Sequence, residues 1–167
     1  MGRIRFLTYV LLSVLFTVGT ASGIHAQDLT TDEKTLVGIK DFRYLVEEPD
    51  YSTGIGGKDL ATVVEFKLRI AGVKISKSFW APLIHVTMTS TEVDGQVPQI
   101  VYYLRVTVRQ DADLVRDPKI KAFDSATWET SVLGVVRKAN ARQQVKNSLS
   151  ELLDEFIAAY EKANEQK

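Results

Sequence analysis

The sequence predicts an α+β domain, in which two helices cover one face of an antiparallel sheet of about four to five strands. Three segments in the middle of the chain alternate apolar and polar residues, with the two-residue period of half-buried strands. Residues 140–163 instead place apolar side chains at helical spacing. A helix with one apolar stripe and a sheet with one apolar face bury these surfaces against each other, which predicts a two-layer fold. The predicted order of elements along the chain is β-α-β-β-β-β-α.

The chain begins with the pattern of a secretory signal peptide. Arg3 and Arg5 precede an uncharged apolar run over residues 7–20, and small residues lead to Ala26, after which cleavage is expected. The run has about 14 residues, whereas a helix needs about 20 to span a bilayer, so an uncleaved anchor is the weaker alternative. We therefore expect residues 1–26 to be removed, no stable transmembrane anchor to remain, and the protein to act in the periplasm or outside the cell.

Composition excludes several functions for the rest of the chain. Residues 27–34 are polar and predict a flexible N-terminus, and residues 35–164 predict a single domain. The chain has 21 basic and 21 acidic residues with both signs interspersed, which gives no concentrated positive face for nucleic acid. Cysteine is absent, which excludes disulfides, thiol catalysis and thiolate metal sites.

The first half of the domain predicts a strand, a loop and a helix. Residues 35–46 are consistent with one strand that has an irregularity near Lys40, and residues 47–57 with a loop rich in glycine. The next stretch is ambiguous because apolar residues alternate over 64–70 as in a strand. Asp59 as an N-cap and Gly72 as a C-terminal residue favour a helix over 58–71, followed by a short strand at 73–76.

Three long strands and a helix complete the prediction. The strands are expected within 81–93, 99–110 and 125–136, with a hairpin turn at Asp94-Gly95 and a polar connection over 111–119. The helix over 140–163 carries one continuous apolar stripe. Its members are Val145, Leu149, Leu152, Leu153, Phe156, Ile157 and Tyr160.

Several of these segments together resemble a known group of proteins. They are "EFKLRIAGVKIS" at 65–76, "YYLRVTVRQDADLVR" at 102–116, "TWET" at 127–130 and "LLDEFIAAYEKAN" at 152–164. In this respect the chain is similar to small exported bacterial proteins that share a domain of unknown function. The similar segments are packing patterns, so the resemblance implies a fold and supplies no activity.

No catalytic or metal-binding motif is present, and no cofactor is expected. His85 is the one histidine after the leader, and a single histidine without a neighbouring nucleophile motif predicts a structural or a surface role. The glycines before Lys58 do not match a phosphate-binding loop, because Ser52 and Asp59 occupy two required positions. Asp111, Asp113 and Asp117 do not have calcium-loop spacing and are expected to be solvated turn residues.

Two groups of residues are candidates for binding. The first is a basic cluster at the start of the last helix, Arg137, Lys138, Arg142 and Lys146, which either contacts an anionic partner or forms salt bridges on a solvated face. The second is the adjacent pair Phe79 and Trp80, which is either an exposed contact surface or is tucked under the sheet.

The absence of catalytic motifs on a sheet-and-helix scaffold predicts an exported, non-enzymatic domain. Its expected partner is a protein or another component of the cell envelope, and its oligomeric state is left open. The alternative is a small-ligand carrier or a hydrolase-like enzyme with a pocket under a helix. That pocket would be lined by polar residues of the sheet face, namely Tyr103, Arg105, Arg109 and Glu129.

Overall fold

The computed structural model describes residues 29–49 and 54–165. Helices and strands alternate at first, and three long strands and a final helix follow. In chain order the elements are α1 (Thr31–Lys34), β1 (Arg43–Val46), α2 (Gly57–Ile70), β2 (Leu83–Val93), β3 (Gln99–Leu114), β4 (Asp117–Arg137), a 3-10 turn (Lys138–Asn140) and α3 (Ala141–Asn164).

The α+β prediction is confirmed, with one correction to the sheet. The four strands lie in the order β1-β2-β3-β4; β3 is antiparallel to both β2 and β4, but β1 is parallel to β2. The sheet is therefore mixed and not purely antiparallel. The reason is the helix between β1 and β2, because a crossover through α2 returns the chain to the end of the sheet from which β1 started.

Both long helices pack on one face of the sheet, as predicted. Most buried positions of β3 alternate along the strand and lie on the face that α2 and α3 cover, together with Ile84, Val86 and Met88 of β2 and Trp128 of β4. Phe156 of α3 is fully buried, and its ring meets Phe42 at 5.3 Å and Trp128 at 5.5 Å between centroids. No helix of residues 29–49 and 54–165 covers the opposite face of the sheet, which is called the open face below.

The helix predicted at 58–71 is confirmed, and its ends follow from local chemistry. Gly56 and not Asp59 is the N-cap residue, so Asp59 lies within the first turn. Gly72 has a φ of 69° and ends the helix, as expected. The N–H of Val73 donates to the carbonyl of Leu68 at 2.9 Å, which is the bond pattern of a glycine-terminated helix. The strand expected at 73–76 is reduced to one bridge between Ile75 and Phe42.

The start of the domain differs from the predicted strand at 35–46, because only Arg43–Val46 is a strand. Thr30 and Glu33 form a capping box that starts α1 in the segment expected to lead loosely into the fold. Lys162 of α3 holds Glu33 by an ion pair of 2.8 Å, and Leu36 is fully buried. Burial of Leu36 against the core therefore overrides the strand pattern of the residues around it.

The polar connection expected at 111–119 is also corrected. β3 continues to Leu114 and β4 begins at Asp117, so the turn has only two residues. Because β2 begins at Leu83, opposite Arg109, the rest of this hairpin projects beyond β2 as a two-stranded arm over residues 110–125. The charged residues that indicated a loop face each other across the arm; Lys121, for example, lies 2.7 Å from Asp113.

The predicted leader, residues 1–26, lies outside the described residues. Among the helices of the described part, none is both long and apolar enough to cross a membrane.

Candidate functional site

The loop before β2 exposes the two aromatic side chains that the sequence singled out. Phe79 and Trp80 expose 72% and 85% of their surface, and their rings meet edge to face at 5.5 Å. The loop is shaped by its serines, since Ser76 and Ser78 accept hydrogen bonds from the backbone N–H groups of residues two positions further on. The pair therefore projects from the end of the sheet and is not tucked under it.

Arg43, at the start of β1, supports this loop from one side. Its guanidinium carbon lies 4.9 Å from the centre of the Phe79 ring, within cation–π range. Its Nε donates to the carbonyl of Ala81 at 3.1 Å. Among the described residues, no other group bonds this guanidinium, so its terminal nitrogens are available to a ligand.

The arm forms the opposite wall, at an irregularity of β4. Asp124 has a φ of 51°, a left-handed conformation that non-glycine residues adopt infrequently. Arg109 fixes it by binding both its carbonyl, at 2.9 Å, and its carboxylate, at 2.9 Å. Asp111 accepts a further bond from the N–H of Asp124 at 3.1 Å. The neighbouring Phe123 is left 72% exposed.

These elements enclose a groove of about 530 Å³ at the end of the sheet. We call it the aromatic groove. Its lining residues are Arg43, Phe79, Trp80, Ala81, Pro82, Arg109, Gln110, Asp111, Phe123 and Asp124. The lining combines apolar rings with two arginines, a glutamine and two aspartates and contains no histidine, serine or lysine, so it offers contact surface and hydrogen-bonding groups.

His85 has the structural position that the sequence predicts. It lies on the open face, is almost fully buried, and its Nε2 is 2.8 Å from Oε1 of Glu47, although the atoms lack hydrogen-bond alignment. The neighbouring Thr107 hydroxyl donates to the backbone carbonyl of His85 at 3.4 Å and is not aimed at the imidazole. This arrangement contains no activated nucleophile.

The basic cluster is largely neutralised by acidic side chains. Arg142 and Lys146 both bind the carboxylate of Asp59 on α2, at 2.9 and 3.1 Å. Lys138 binds Glu92 at the end of β2. Arg137 alone has no ion pair among the described residues. The geometry favours the salt-bridged face over an anion site, and binding by these residues stays a prediction.

The bonds to Asp59 have a consequence for pH dependence. Hydrogen bonds from Arg142 and then Lys146 hold the pKa of this partly exposed carboxyl below its ordinary value. A carboxyl with a lowered folded-state pKa stabilises the fold above its unfolded pKa and loses that contribution as the pH falls through the folded one. The Asp59 contribution is therefore present at neutral pH and lost below about pH 4.

We expect Asp59→Asn to reduce the difference in stability between pH 7 and pH 3. The measurement is the urea midpoint of wild type and variant at both pH values. Glu161→Gln is the control, because Glu161 is an exposed carboxylate of α3 that forms no ion pair with the described residues. If the difference in stability between pH 7 and pH 3 were the same for Asp59→Asn and wild type, the bonds to Asp59 would contribute nothing to the pH dependence.

The remaining candidates are dispersed. Residues 50–53 of the glycine-rich loop lie outside the described residues. Asp113 pairs with Lys121, and Asp117 accepts from the N–H of Lys119 at 3.1 Å, so the three acids of this segment have separate partners. In residues 29–49 and 54–165, no three potential ligand side chains lie close enough to hold a metal ion.

The polar residues of the alternative hypothesis do not line a pocket under a helix. Tyr103, Arg105 and Glu129 lie on the open face, where Arg105 reaches Glu129 at 3.9 Å. Arg109 belongs to the aromatic groove. Sequence reasoning did not identify Arg43 or Phe123 as part of a site. The available signal was weak, because Phe123 is a lone phenylalanine between the predicted connection at 111–119 and the strand predicted at 125–136.

Comparison with known proteins leaves the family open. No protein-family model and no curated protein matches the chain. Among solved structures, a minor lipoprotein from Acinetobacter baumannii matches with 12% sequence identity and a TM-score of 0.38, over 72% of this chain and 91% of that chain. A likeness of this size supports no conclusion about function.

Proposed function

We propose that this protein is an exported, non-enzymatic domain that binds a protein partner in the aromatic groove. The observation that carries the proposal is the convergence of Phe79, Trp80 and Phe123, each more than two thirds exposed, on one concave surface. Their exposure contrasts with Phe42, Trp128 and Phe156, which the fold buries. Large apolar surface left in water is unfavourable, and its concentration at one place is typical of an interaction site.

The composition of the groove favours a protein as the partner. Tryptophan and arginine are enriched in the energetically dominant centres of protein interfaces, and lysine and glutamate are depleted there. Arg43 adds a guanidinium with free terminal nitrogens, which suits a carboxylate or a main-chain carbonyl of the partner. We therefore infer a partner segment that inserts an apolar side chain between the aromatic rings and places an acceptor next to Arg43.

A glycan fits the groove less well. Sugar rings stack on flat and open aromatic faces, whereas the Phe79 and Trp80 rings stand at 84° to each other. Arg43 also covers a face of the Phe79 ring. The two rings therefore form the walls of a cleft and not one flat surface on which a sugar ring could stack. Binding to envelope glycans is kept as a distinct outcome of the experiment.

The location outside the cytoplasm is part of the same proposal. The leader pattern in residues 1–26 supports it, and the absence of cysteine is compatible with it. Partners are accordingly expected in the periplasm or on the cell surface.

The test is co-purification of the tagged full chain from its native envelope. We expect a defined protein to be recovered with wild type and to be lost with the double variant Phe79→Ala and Trp80→Ala. Phe66→Ala is the control, because Phe66 is also an exposed aromatic side chain, at 61%, but lies on α2 and does not line the groove. Recovery of the same protein with the double variant as with wild type would refute the proposal. If a glycan were recovered with wild type and lost with the double variant, the partner would be a glycan and not a protein.

A further inference from the structure

The outer strand of the sheet, β4, presents a long regular edge. Because the strand order ends at β4, the side of this strand away from β3 pairs with no other strand of the described chain. Its register with β3 is uninterrupted from Trp128 to Arg137, and all irregularities lie in or next to the arm. Leu133 and Val135 on this stretch are 69% and 62% exposed. Natural proteins usually protect such an edge with proline, lysine or a bulge, and none occurs between residues 128 and 137.

The side chains along this edge are complementary to their own reversed copy. On the open face the order is Glu129, Ser131, Leu133, Val135 and Arg137. If two such strands run antiparallel with Leu133 opposite Leu133, then Glu129 of each copy lies opposite Arg137 of the other. Ser131 then lies opposite Val135. Opposite charges directly across a strand pair stabilise it, and a two-fold axis forms each pair twice.

We propose that two copies of this chain associate through antiparallel pairing of β4, centred on Leu133, into a continuous eight-stranded sheet. Glu129 and Arg137 are both available for this contact. Arg137 has no ion pair among the described residues, and the contact of Glu129 with Arg105 is long, at 3.9 Å. The opposite edge is a poorer candidate, because β1 has only four residues.

The proposal is independent of the aromatic groove. The groove lies at the end of the sheet from which the arm projects, whereas Leu133 lies within the Trp128–Arg137 half of β4, away from the arm. A dimer of this kind leaves both grooves open. Loss of partner binding and loss of self-association are therefore separable results.

Cysteine crosslinking tests the register of the two copies. The chain has no native cysteine, so every disulfide reports an introduced one. At Leu133→Cys, the two Cα atoms would be about 4.5–5.5 Å apart across the pair, which suits a disulfide. We expect this variant to form a covalent dimer under mild oxidation.

Val135→Cys is the matched control, with similar exposure on the same face. Its two copies would be four residues out of register, about 14 Å apart, and are expected to stay unlinked. A mixture of Ser131→Cys and Val135→Cys proteins should crosslink as heterodimers. Equal crosslinking of Leu133→Cys and Val135→Cys, or none at Leu133→Cys, would overturn the proposed pairing.

Charge reversal tests the interaction in solution. By light scattering we expect the wild-type protein to have twice the monomer mass, and Glu129→Arg or Arg137→Glu to raise the dissociation constant about tenfold, because each reversal places like charges opposite twice per dimer. The double variant Glu129→Arg with Arg137→Glu should restore dimerisation, which also excludes misfolding as the cause. A monomer at all concentrations, or a dimer unaffected by either reversal, would overturn the proposal.

Discussion

Replacing Phe156 by alanine is expected to lower the free energy of unfolding by about 3–5 kcal/mol, the usual cost of truncating a buried aromatic side chain. Phe156 is fully buried and meets three other rings. It joins Phe42, which precedes β1, to Trp128 of β4 and Tyr160 of α3, so its removal leaves a cavity that no single element can fill. The measurement is urea unfolding monitored by circular dichroism.

Phe66→Ala is the control for this substitution. It removes the same side chain from an exposed position on α2, and its effect should stay within about 0.5 kcal/mol. If the two variants had similar stability, the layer between helices and sheet would not be the source of the fold's stability.

Replacing Gly134 by alanine is expected to cost about 2–4 kcal/mol, from overpacking and a weakened buried hydrogen bond. A Cβ at Gly134 would overlap the ring and hydroxyl of Tyr102, which lies directly opposite on β3. Tyr102 is buried and its hydroxyl bonds Ser148 of α3 at 2.9 Å, so its ring has no free space to move into. The glycine therefore lets an aromatic ring cross the sheet surface to reach α3.

Gly95→Ala provides the comparison, since a Cβ there meets nothing closer than the carbonyl of Val97 at 3.8 Å. We expect this variant to unfold at nearly the wild-type urea concentration. If Gly134→Ala unfolded at the same urea concentration as Gly95→Ala, this result would contradict the packing of Tyr102 described above.

Local patterns predict those parts of the fold that local physics controls. The stripe of α3 and the glycine after α2 are such cases: α3 was expected at 140–163 and occurs at Ala141–Asn164. For α2, the alternation of apolar residues over 64–70 favoured a strand, and the terminal glycine correctly indicated a helix. Helix ends depend on a few neighbouring residues and can be recognised without knowledge of the tertiary structure.

The parts that were not predicted depend on distant contacts. Nothing in Arg43–Val46 indicates that its neighbour is the parallel β2, because the pairing follows from the path of α2. Residues 111–119 of the arm were predicted to be a connection because their charges are typical of a loop, although Asp113 pairs across the two strands with Lys121. The capping box of Thr30 and Glu33 was an available local signal for α1, but the polar composition of residues 27–34 indicated a flexible N-terminus instead.

The candidate site shows the same division. The adjacent Phe79 and Trp80 were recognisable as a pair, and two alternatives remained for them, exposed or tucked away. Phe123 joins them from more than 40 residues further along the chain, and Arg43 from more than 30 residues before. No spacing rule connects these segments, so the groove becomes visible only when the sheet brings β1, the loop before β2 and the arm together.

The most direct test of the proposed function is site-specific photocrosslinking in the native envelope. A photoreactive residue replaces Trp80 in one variant and Phe66 in another, and the crosslinked products are identified by mass spectrometry. We expect position 80 to capture one defined protein at high yield and position 66 to capture none above background. The same products from both positions, or none from position 80, would contradict a binding function of the aromatic groove.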